Sequence, residues 1–300
     1  MKSPRLRKVY EESAAALRRK PRVSFVYLLL RFLVILTMIA QFFNRNFENV
    51  FLCLLTLILF VLPTVFERQL MIDLPDTLEV IILLFIFSAE ILGEIQAFYT
   101  TFQGWDTILH TLNGFLCAAI GFSLVDMLNR EERFSLTLSP AFMAVVAFCF
   151  SMTIGVLWEF FECFMDVYFG FDMQKDFVIN AIRSVSLDPE NLNRVHSITG
   201  ITDVIAVTDQ GQIPLGVGGY LDVGILDTMK DLWVNFIGAS VFSVIGYFYV
   251  KHRGRGFFAK RFIPKVLNSL DDLDFNPFDD TPQEREAKRK KRRKFLGKKE

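Results

Sequence analysis

The chain has 300 residues, of which 52% are hydrophobic and 33 are phenylalanine, and its formal net charge is zero. This apolar fraction exceeds that of ordinary soluble domains, and the zero charge hides two basic ends on an internally acidic body. The motifs of nucleotide-binding proteins, of zinc metalloproteases and of hydrolases with a nucleophile elbow do not occur in the sequence, so these classes have no support.

Six apolar stretches follow one another along the chain, each with about the 20 residues that a helix needs to cross a bilayer. They cover residues 23–43, 48–66, 77–98, 107–128, 140–168 and 231–250. We therefore predict an all-α polytopic membrane protein of about six transmembrane helices with a small, partly β extracytoplasmic insertion. The first stretch is too long for a signal-peptide core, so we interpret it as a retained anchor.

The basic residues predict an orientation. Residues 1–22 hold eight lysines and arginines, and 288–294 form a nearly unbroken basic run. Because positive loops stay on the cytoplasmic side, we expect both the N-terminus and the charged tail at 251–300 to be cytoplasmic, in the cell membrane. Membrane lipids are the expected partners, with anionic inner-leaflet lipid at the basic termini, and we favour lipid over nucleic acid.

The insertion at 169–226 separates helices 1–5, within 23–168, from helix 6, at 227–250. Its first part, 172–193, is predicted to be helical. Short strands are predicted at 197–199, 203–207 and 213–217, because Asp and Gly in a turn at 208–211 lie between β-branched runs. With the predicted orientation, the insertion covers the outer face.

Four cysteines lie within apolar stretches and form no C-x-x-C pair, namely Cys53, Cys117, Cys149 and Cys163. We interpret them as small buried hydrophobic residues and not as disulfide partners or zinc ligands.

The acidic residues of the last four stretches gather toward one end of the helices. Their spacings are mostly three or four, which places each set on one helix face. An ionisable group costs roughly 2.5–3.5 kcal/mol at the centre of a bilayer on insertion scales, so such groups usually face the bundle interior or a watery cavity. The sets are Glu90 and Glu94; Asp106 and His110; Glu159, Glu162 and Asp166; and Asp227, Asp231 and Asn235.

These residues divide into two candidate roles. The candidate metal ligands are Asp106, His110, Asp227, Asp231 and Asn235. Their oxygens and single imidazole suit Mg²⁺, Mn²⁺ or Ca²⁺, or a borderline ion such as Fe²⁺ or Zn²⁺, so a divalent metal ion is the cofactor considered. Glu159 and Glu162 are candidates for a general base. Helix capping, hydrogen bonds between protonated acids and a proton relay remain alternatives.

Three motifs carry a resemblance: Trp105-Asp106-Thr107-x2-His110, Gly155-x2-Trp158-Glu159-x2-Glu162, and the run of Asp, Asn and Gly from Tyr220 to Ala239. Over about 80–250 the chain resembles the YjdF-like bacterial membrane-spanning proteins. More distantly it is similar to the VanZ-like proteins, which are associated with glycopeptide resistance and the cell envelope. The resemblance implies an integral membrane protein of a family without an assigned activity. The large insertion and the long charged tail depart from the shorter relatives.

From these observations we expect an integral membrane protein of the cell envelope. It would bind or process a lipid or lipid-linked head group at an acidic site near the outer leaflet, with a divalent metal ion. A proton-coupled transporter and a structural or assembly protein without catalysis are the alternatives. Whether the protein is an enzyme, what its substrate is and how it oligomerises stay open.

Overall fold

The computed structural model describes residues 20–70, 72–130, 138–252, 261–263 and 265–266. The basic segment 1–19 and most of the predicted tail lie outside the described residues. The α-helices are α1 Pro21–Phe43, α2 Phe47–Leu59, α3 Leu62–Leu70, α4 Asp76–Phe87, α5 Phe98–Thr101, α6 Trp105–Arg130, α7 Pro140–Phe169 and α8 Ile225–Lys251.

Five of the described helical stretches are long and apolar enough to cross a membrane, which confirms the predicted fold class. They are Pro21–Phe43, Phe47–Glu67, Trp105–Asp126, Pro140–Phe169 and Ile225–Lys251. The second of them combines α2 and α3, which are separated where Pro63 removes a backbone donor. The predicted stretch 77–98 differs from these five: α4 continues into a π-helix, Ser88–Ile95, which contains Glu90 and Glu94.

The chain divides into two compact units. One contains α1 to α5, together with the parts of α6 and α8 that begin at Phe122 and Ile245, and the other contains residues 104–121 and 141–244. The core of the first unit is formed by Leu30, Val34, Cys53, Leu83 and Ile91. Large apolar side chains on the outer faces of α1 and α2 stay exposed, as lipid-facing side chains do.

A half-buried lysine joins the start of α1 to α3, to the chain before α4 and to α4 itself. The Lys20 ammonium donates to Glu67 at 2.8 Å, to Glu79 at 2.9 Å and to the Leu74 carbonyl at 2.6 Å, and it lies 3.2 Å from Asp73. Burial opposes the charge on Lys20, but Glu79 and Glu67 raise its pKa above the usual value. Lys20 thus stays charged and holds this end of the unit together.

The strands are short and pair in antiparallel twos. They are β1 Ile72–Asp73, β2 Val178–Ile179, β3 Ala181–Ser184, β4 His196–Thr199, β5 Ile205–Thr208, β6 Gly211–Pro214, β7 Tyr220–Leu221 and β8 Lys265–Val266. In the first unit, β1 pairs with β8 in the register Ile72↔Val266 and Asp73↔Lys265. In the insertion, β2 pairs with β7, β3 with β4 and β5 with β6.

The predicted helix at 172–193 is wrong. This segment forms β2, β3 and a 3₁₀ turn instead. Its hydrogen-bond partners come from later in the chain: the Asn180 side-chain amide donates to the carbonyls of Ile201, at 2.7 Å, and Gly218, at 3.0 Å. The other predicted strands overlap β4, β5 and β6, and the Thr208–Gly211 turn closes the predicted hairpin.

Asp188 orders the loop between β3 and β4. Its buried carboxylate accepts backbone hydrogen bonds from Glu190 at 3.2 Å, Leu192 at 2.9 Å and Arg194 at 3.1 Å. The His196 ring lies 3.5 Å away. The Arg194, Glu190 and Leu192 amides stabilise the ionised form and hold the pKa of Asp188 below its usual range.

All four cysteines are free. Cys53 is buried and Cys117 is half-buried, in line with the interpretation as core residues. Cys149 and Cys163 are exposed, so the expected burial is wrong for these two, which lie on outward-facing positions of α7.

Candidate metal centre

Three helices of the second unit pack closely where they carry glycines. A Cβ on Gly238 of α8 would lie 2.0 Å from the Thr111 carbonyl oxygen of α6, and one on Gly114 would lie 2.2 Å from the Asn235 carbonyl oxygen. A Cβ on Gly155 of α7 would lie 2.6 Å from the Asn235 side chain. Since real Cβ atoms do not approach this closely, the absent side chains let the three backbones meet.

Asn235 belongs to this helix contact. Its side chain is 1% exposed, and it pairs with Asn113 of α6 and with the Met152 sulfur of α7, each at 3.5 Å. Ser151 adds a 2.7 Å hydrogen bond to the Gly114 carbonyl oxygen. Asn235 was predicted as a metal ligand, but its described hydrogen bonds join helices and do not reach the other predicted ligands.

The predicted ligands that the structure brings together lie one helical turn before this contact. His110 precedes Gly114 by four residues, and Asp231 precedes Asn235 by four. The His110 Nε2 atom lies 3.3 Å from Asp106 Oδ1 and 3.9 Å from Asp231 Oδ2. One ligand atom from each of Asp106, His110 and Asp231 lies within 4.8 Å of the other two.

Glu159 lies on the other side of the imidazole. Its Oε1 atom is 3.7 Å from His110 Nδ1, so the ring stands between α7 and the two aspartates. Asp231 and Glu159 are 1% and 4% exposed, yet Asp231 Oδ1 and Glu159 Oε2 make no hydrogen bond with the described residues. A buried carboxylate oxygen without a hydrogen bond costs about 1–3 kcal/mol or more, so a bound proton or a cation would stabilise this cluster.

The sequence reasoning missed Lys230, which lies beside the cluster. Its ammonium is 2.8 Å from Asp227, 3.1 Å from Asp106 and 3.5 Å from Asp231. It also stands 5.7 Å from the centre of the Phe177 ring. The available signal was a lysine directly before the last apolar stretch, three residues after one acid and next to another.

Asp227 is held apart from the three-residue cluster. One carboxylate oxygen accepts from the Lys230 ammonium, and the other accepts from the Lys175 backbone N–H at 2.9 Å. Asp166 accepts from the backbone N–H groups of Met173, at 2.7 Å, and Gln174, at 2.8 Å. The chain at 173–175 is thereby fixed across the adjoining ends of α7 and α8.

Glu162 has a partner on its own helix. The indole N–H of Trp158 donates to it at 2.8 Å. The two predicted bases therefore differ: Glu159 lies against His110, whereas Glu162 is bound to Trp158. Glu90 and Glu94 lie in the π-helix of the first unit.

The balance of charge defines what the site can do. Five carboxyl groups, those of Asp106, Glu159, Glu162, Asp227 and Asp231, accompany one described ammonium and one imidazole. Such a group of acids needs bound protons or a cation when it is buried. Ligand atoms 3.3–3.9 Å apart fit around a single ion with bonds of about 2.1 Å, and two carboxylates with one imidazole suit a hard or borderline divalent ion.

A comparison with known families adds one finding. The model of a family described as predicted membrane protein (DUF2238) matches residues 25–181, which is more than half of the chain. The matched region includes Asp106, His110, Glu159 and Glu162 and ends before α8. No curated protein and no solved structure matches the chain.

Proposed function

Because the chain belongs to the DUF2238 family of predicted membrane proteins, we propose that its Asp106–His110–Asp231 cluster binds a divalent cation at the membrane. Through that cation the protein would bind or process a lipid or lipid-linked head group of the cell envelope. The motifs that resemble YjdF-like proteins are consistent with the family match, and we place the chain among those proteins.

One observation carries the proposal. Asp231 Oδ1 is buried and without a hydrogen bond among the described residues, although its carboxylate lies in a set of three ligand groups within 4.8 Å of one another. If Asp106 and Asp231 were only helix contacts, each buried oxygen would be expected to have a donor. A cation bound by these groups would neutralise the Asp231 carboxylate, which the 3.5 Å ion pair between Lys230 and Asp231 Oδ1 compensates only in part.

The two glutamates take different roles in this proposal. Glu159 is the candidate base, because it contacts His110 and is adjacent to the ligands. It also fixes which imidazole nitrogen faces the aspartates, as acidic neighbours of metal-binding histidines commonly do. Glu162 supports α7 through Trp158 and is the weaker candidate for the base.

A proton-coupled transporter is the second candidate. The contiguous titratable groups Glu159, His110 and Asp231 favour it, because a proton could pass along them. A purely structural role predicts that the acids tolerate replacement by amides, which keep hydrogen bonding and volume. Stoichiometric cation binding separates the first candidate from the other two.

The test is Mn²⁺ titration of the purified protein, by calorimetry or electron paramagnetic resonance. We expect one ion in the wild type and nearly equal losses in His110→Ala, Asp231→Ala and the double variant, because losing either ligand already disables the site. Asp172→Asn removes one negative charge, as Asp231→Ala does, but from a side chain that is 72% exposed, and this variant should bind Mn²⁺ normally. A wild type without Mn²⁺ binding, or single losses that multiply in the double variant, would refute the shared site.

The protein is a multi-pass membrane protein, and we propose that both termini are cytoplasmic. The positive residues of 1–22 and of 288–299 support this orientation. It places the candidate metal centre and the insertion toward the outer leaflet, and the basic termini beside anionic lipid of the inner leaflet.

A further inference from the structure

Lys230 marks the edge of the candidate metal centre. Its side chain is 34% exposed, whereas the side chains of its partners Asp227 and Asp231 are 7% and 2% exposed. Asp106, the third partner, is 26% exposed. The ammonium therefore lies between the buried acids and the outside, where a ligand can reach it without displacing the helices.

A cation in the cluster changes what Lys230 faces. The negative charges of Asp106 and Asp231 would then neutralise the ion, so less negative charge would remain to balance the Lys230 ammonium. Lys230 Nζ lies 3.1 Å from Asp106 Oδ2 and 3.5 Å from Asp231 Oδ1, whereas His110 faces the other oxygen of each carboxylate. With ion–oxygen bonds of about 2.1 Å to those other oxygens, the ion and the ammonium would be roughly 5–7 Å apart. Two positive centres at this separation favour an anion with several oxygens.

A phosphate group has the required chemistry. Mg²⁺-type ions are commonly held by one or two carboxylates and complete their shell with water and substrate phosphate oxygens. Lysine binds phosphate as a point charge, with charge-assisted hydrogen bonds of about 2.7–2.9 Å. One phosphate oxygen can therefore bind the ion while another accepts from Lys230.

The surface beside Lys230 indicates where such a phosphate comes from. Met229 is 56% exposed and Trp233 is 63% exposed, and both lie within one turn of Lys230 on α8. Trp233 stacks on Phe236 with ring centres 5.3 Å apart, which continues the apolar surface along the helix. An apolar strip that begins at the phosphate position fits the chains of a lipid.

We propose that the candidate metal centre binds the phosphate of a membrane lipid, with Lys230 as the second anchor beside the cation. This inference rests on the proposed function, because the first anchor is the ion held by Asp106, His110 and Asp231. The ligand class is a lipid with a terminal phosphate, whose charge complements the two positive centres better than the phosphate of a zwitterionic lipid does.

The test measures the coupling between cation and phosphate. The full-length protein in phosphatidylcholine nanodiscs is titrated with Mn²⁺, alone and with short-chain phosphatidic acid or with inorganic phosphate. Since coupling is reciprocal, phosphatidic acid should tighten Mn²⁺ binding at least tenfold in the wild type. Lys230→Gln should remove this gain while Mn²⁺ still binds, and Lys230→Arg should keep part of it.

Lys175→Gln is the matched control. The Lys175 ammonium pairs with Asp172 and its side chain is 43% exposed, while only its backbone N–H contacts Asp227. The variant should show the wild-type gain. A wild type that binds Mn²⁺ without any gain from phosphatidic acid overturns this inference and leaves the cation site standing. An equal gain from inorganic phosphate refutes the lipid, and an equal loss in Lys175→Gln refutes the role of Lys230. A wild type that binds no Mn²⁺ refutes the proposed function itself.

Discussion

Replacing Gly114 by alanine should weaken cation binding without touching any ligand. The added Cβ would lie 2.2 Å from the Asn235 carbonyl oxygen and 3.0 Å from the Asn235 Cα atom. These are backbone atoms of α8, so no side-chain rotation relieves the overlap. α6 and α8 would have to separate by about 1 Å to reach a carbon–oxygen contact of about 3.3 Å.

The separation of α6 and α8 would also move the ligands apart, because His110 and Asp231 lie one helical turn from Gly114 and Asn235. The distance of 3.9 Å between His110 and Asp231 would grow to about 5 Å, beyond the roughly 4.2 Å between opposite ligands of an ion with bonds of about 2.1 Å. Asp231 would then be lost as a ligand, and we expect at least a tenfold weaker affinity, about 1.4 kcal/mol. The overpacking itself should cost about 1–3 kcal/mol of stability.

Gly121→Ala is the matched control on the same helix. The three atoms nearest to its Cβ would belong to the Phe150 side chain, at 2.8 Å and beyond, so it should lower the melting temperature but leave Mn²⁺ affinity near the wild-type value. Both substitutions gain the same helix propensity, which therefore cancels in the comparison. Calorimetric titration and thermal unfolding of the three proteins measure both effects. Wild-type affinity in Gly114→Ala, or an equal loss in Gly121→Ala, would refute the reasoning.

Two further predictions concern the insertion. With Cys149 and Cys163 replaced by alanine, a membrane-impermeant maleimide should label Asp172→Cys in intact cells and Lys298→Cys only after permeabilisation; the opposite pattern would move the candidate centre to the cytoplasmic side. The lowered pKa of Asp188 means that its contribution to stability is present above about pH 3.9 and is lost as the pH falls toward the folded-state pKa. Hydrogen-exchange protection of the three amides bound to Asp188 should therefore persist down to about pH 3.9 and drop as the pH falls further toward the folded-state pKa, whereas Asp188→Asn should lack the protection already at neutral pH. Unchanged protection in that variant would show that the carboxylate does not order the loop.

Helices and the polar stripes on them could be predicted from the sequence, because both depend on local periodicity. The i, i+4 spacing of Asp106 and His110 places them on one face in any straight helix. Which of the predicted ligands meet depends on how closely the helices approach, and that is set by the glycines at 114, 155 and 238 together with their partners on other helices. For this reason the sequence could not distinguish Asp231, which joins the cluster, from Asn235, which does not.

The errors have the same origin. In the segment 172–193, the strands β2 and β3 form because β7 and β4, which come later in the chain, supply their backbone hydrogen bonds. Such distant partners leave no local periodicity in the sequence. Lys230 was not among the predicted site residues, because the pattern of acids alone does not indicate which nearby cation compensates them. The structure shows that part of the compensation is internal, from a residue that one turn of α8 places between Asp227 and Asp231.

The strand β1 contacts both ends of the described chain. Lys20, which precedes α1, pairs with Asp73, and β8, which follows α8, pairs with the same strand. Points in contact lie on one side of a bilayer, so the chain between them must cross it an even number of times. The candidate spans α1 and α2–α3 would return the chain to β1, but the candidate spans in α6, α7 and α8 alone would make an odd number of crossings between β1 and β8. We infer that the helical run at 76–95 supplies the missing crossing, which would carry Glu90 and Glu94 into the membrane.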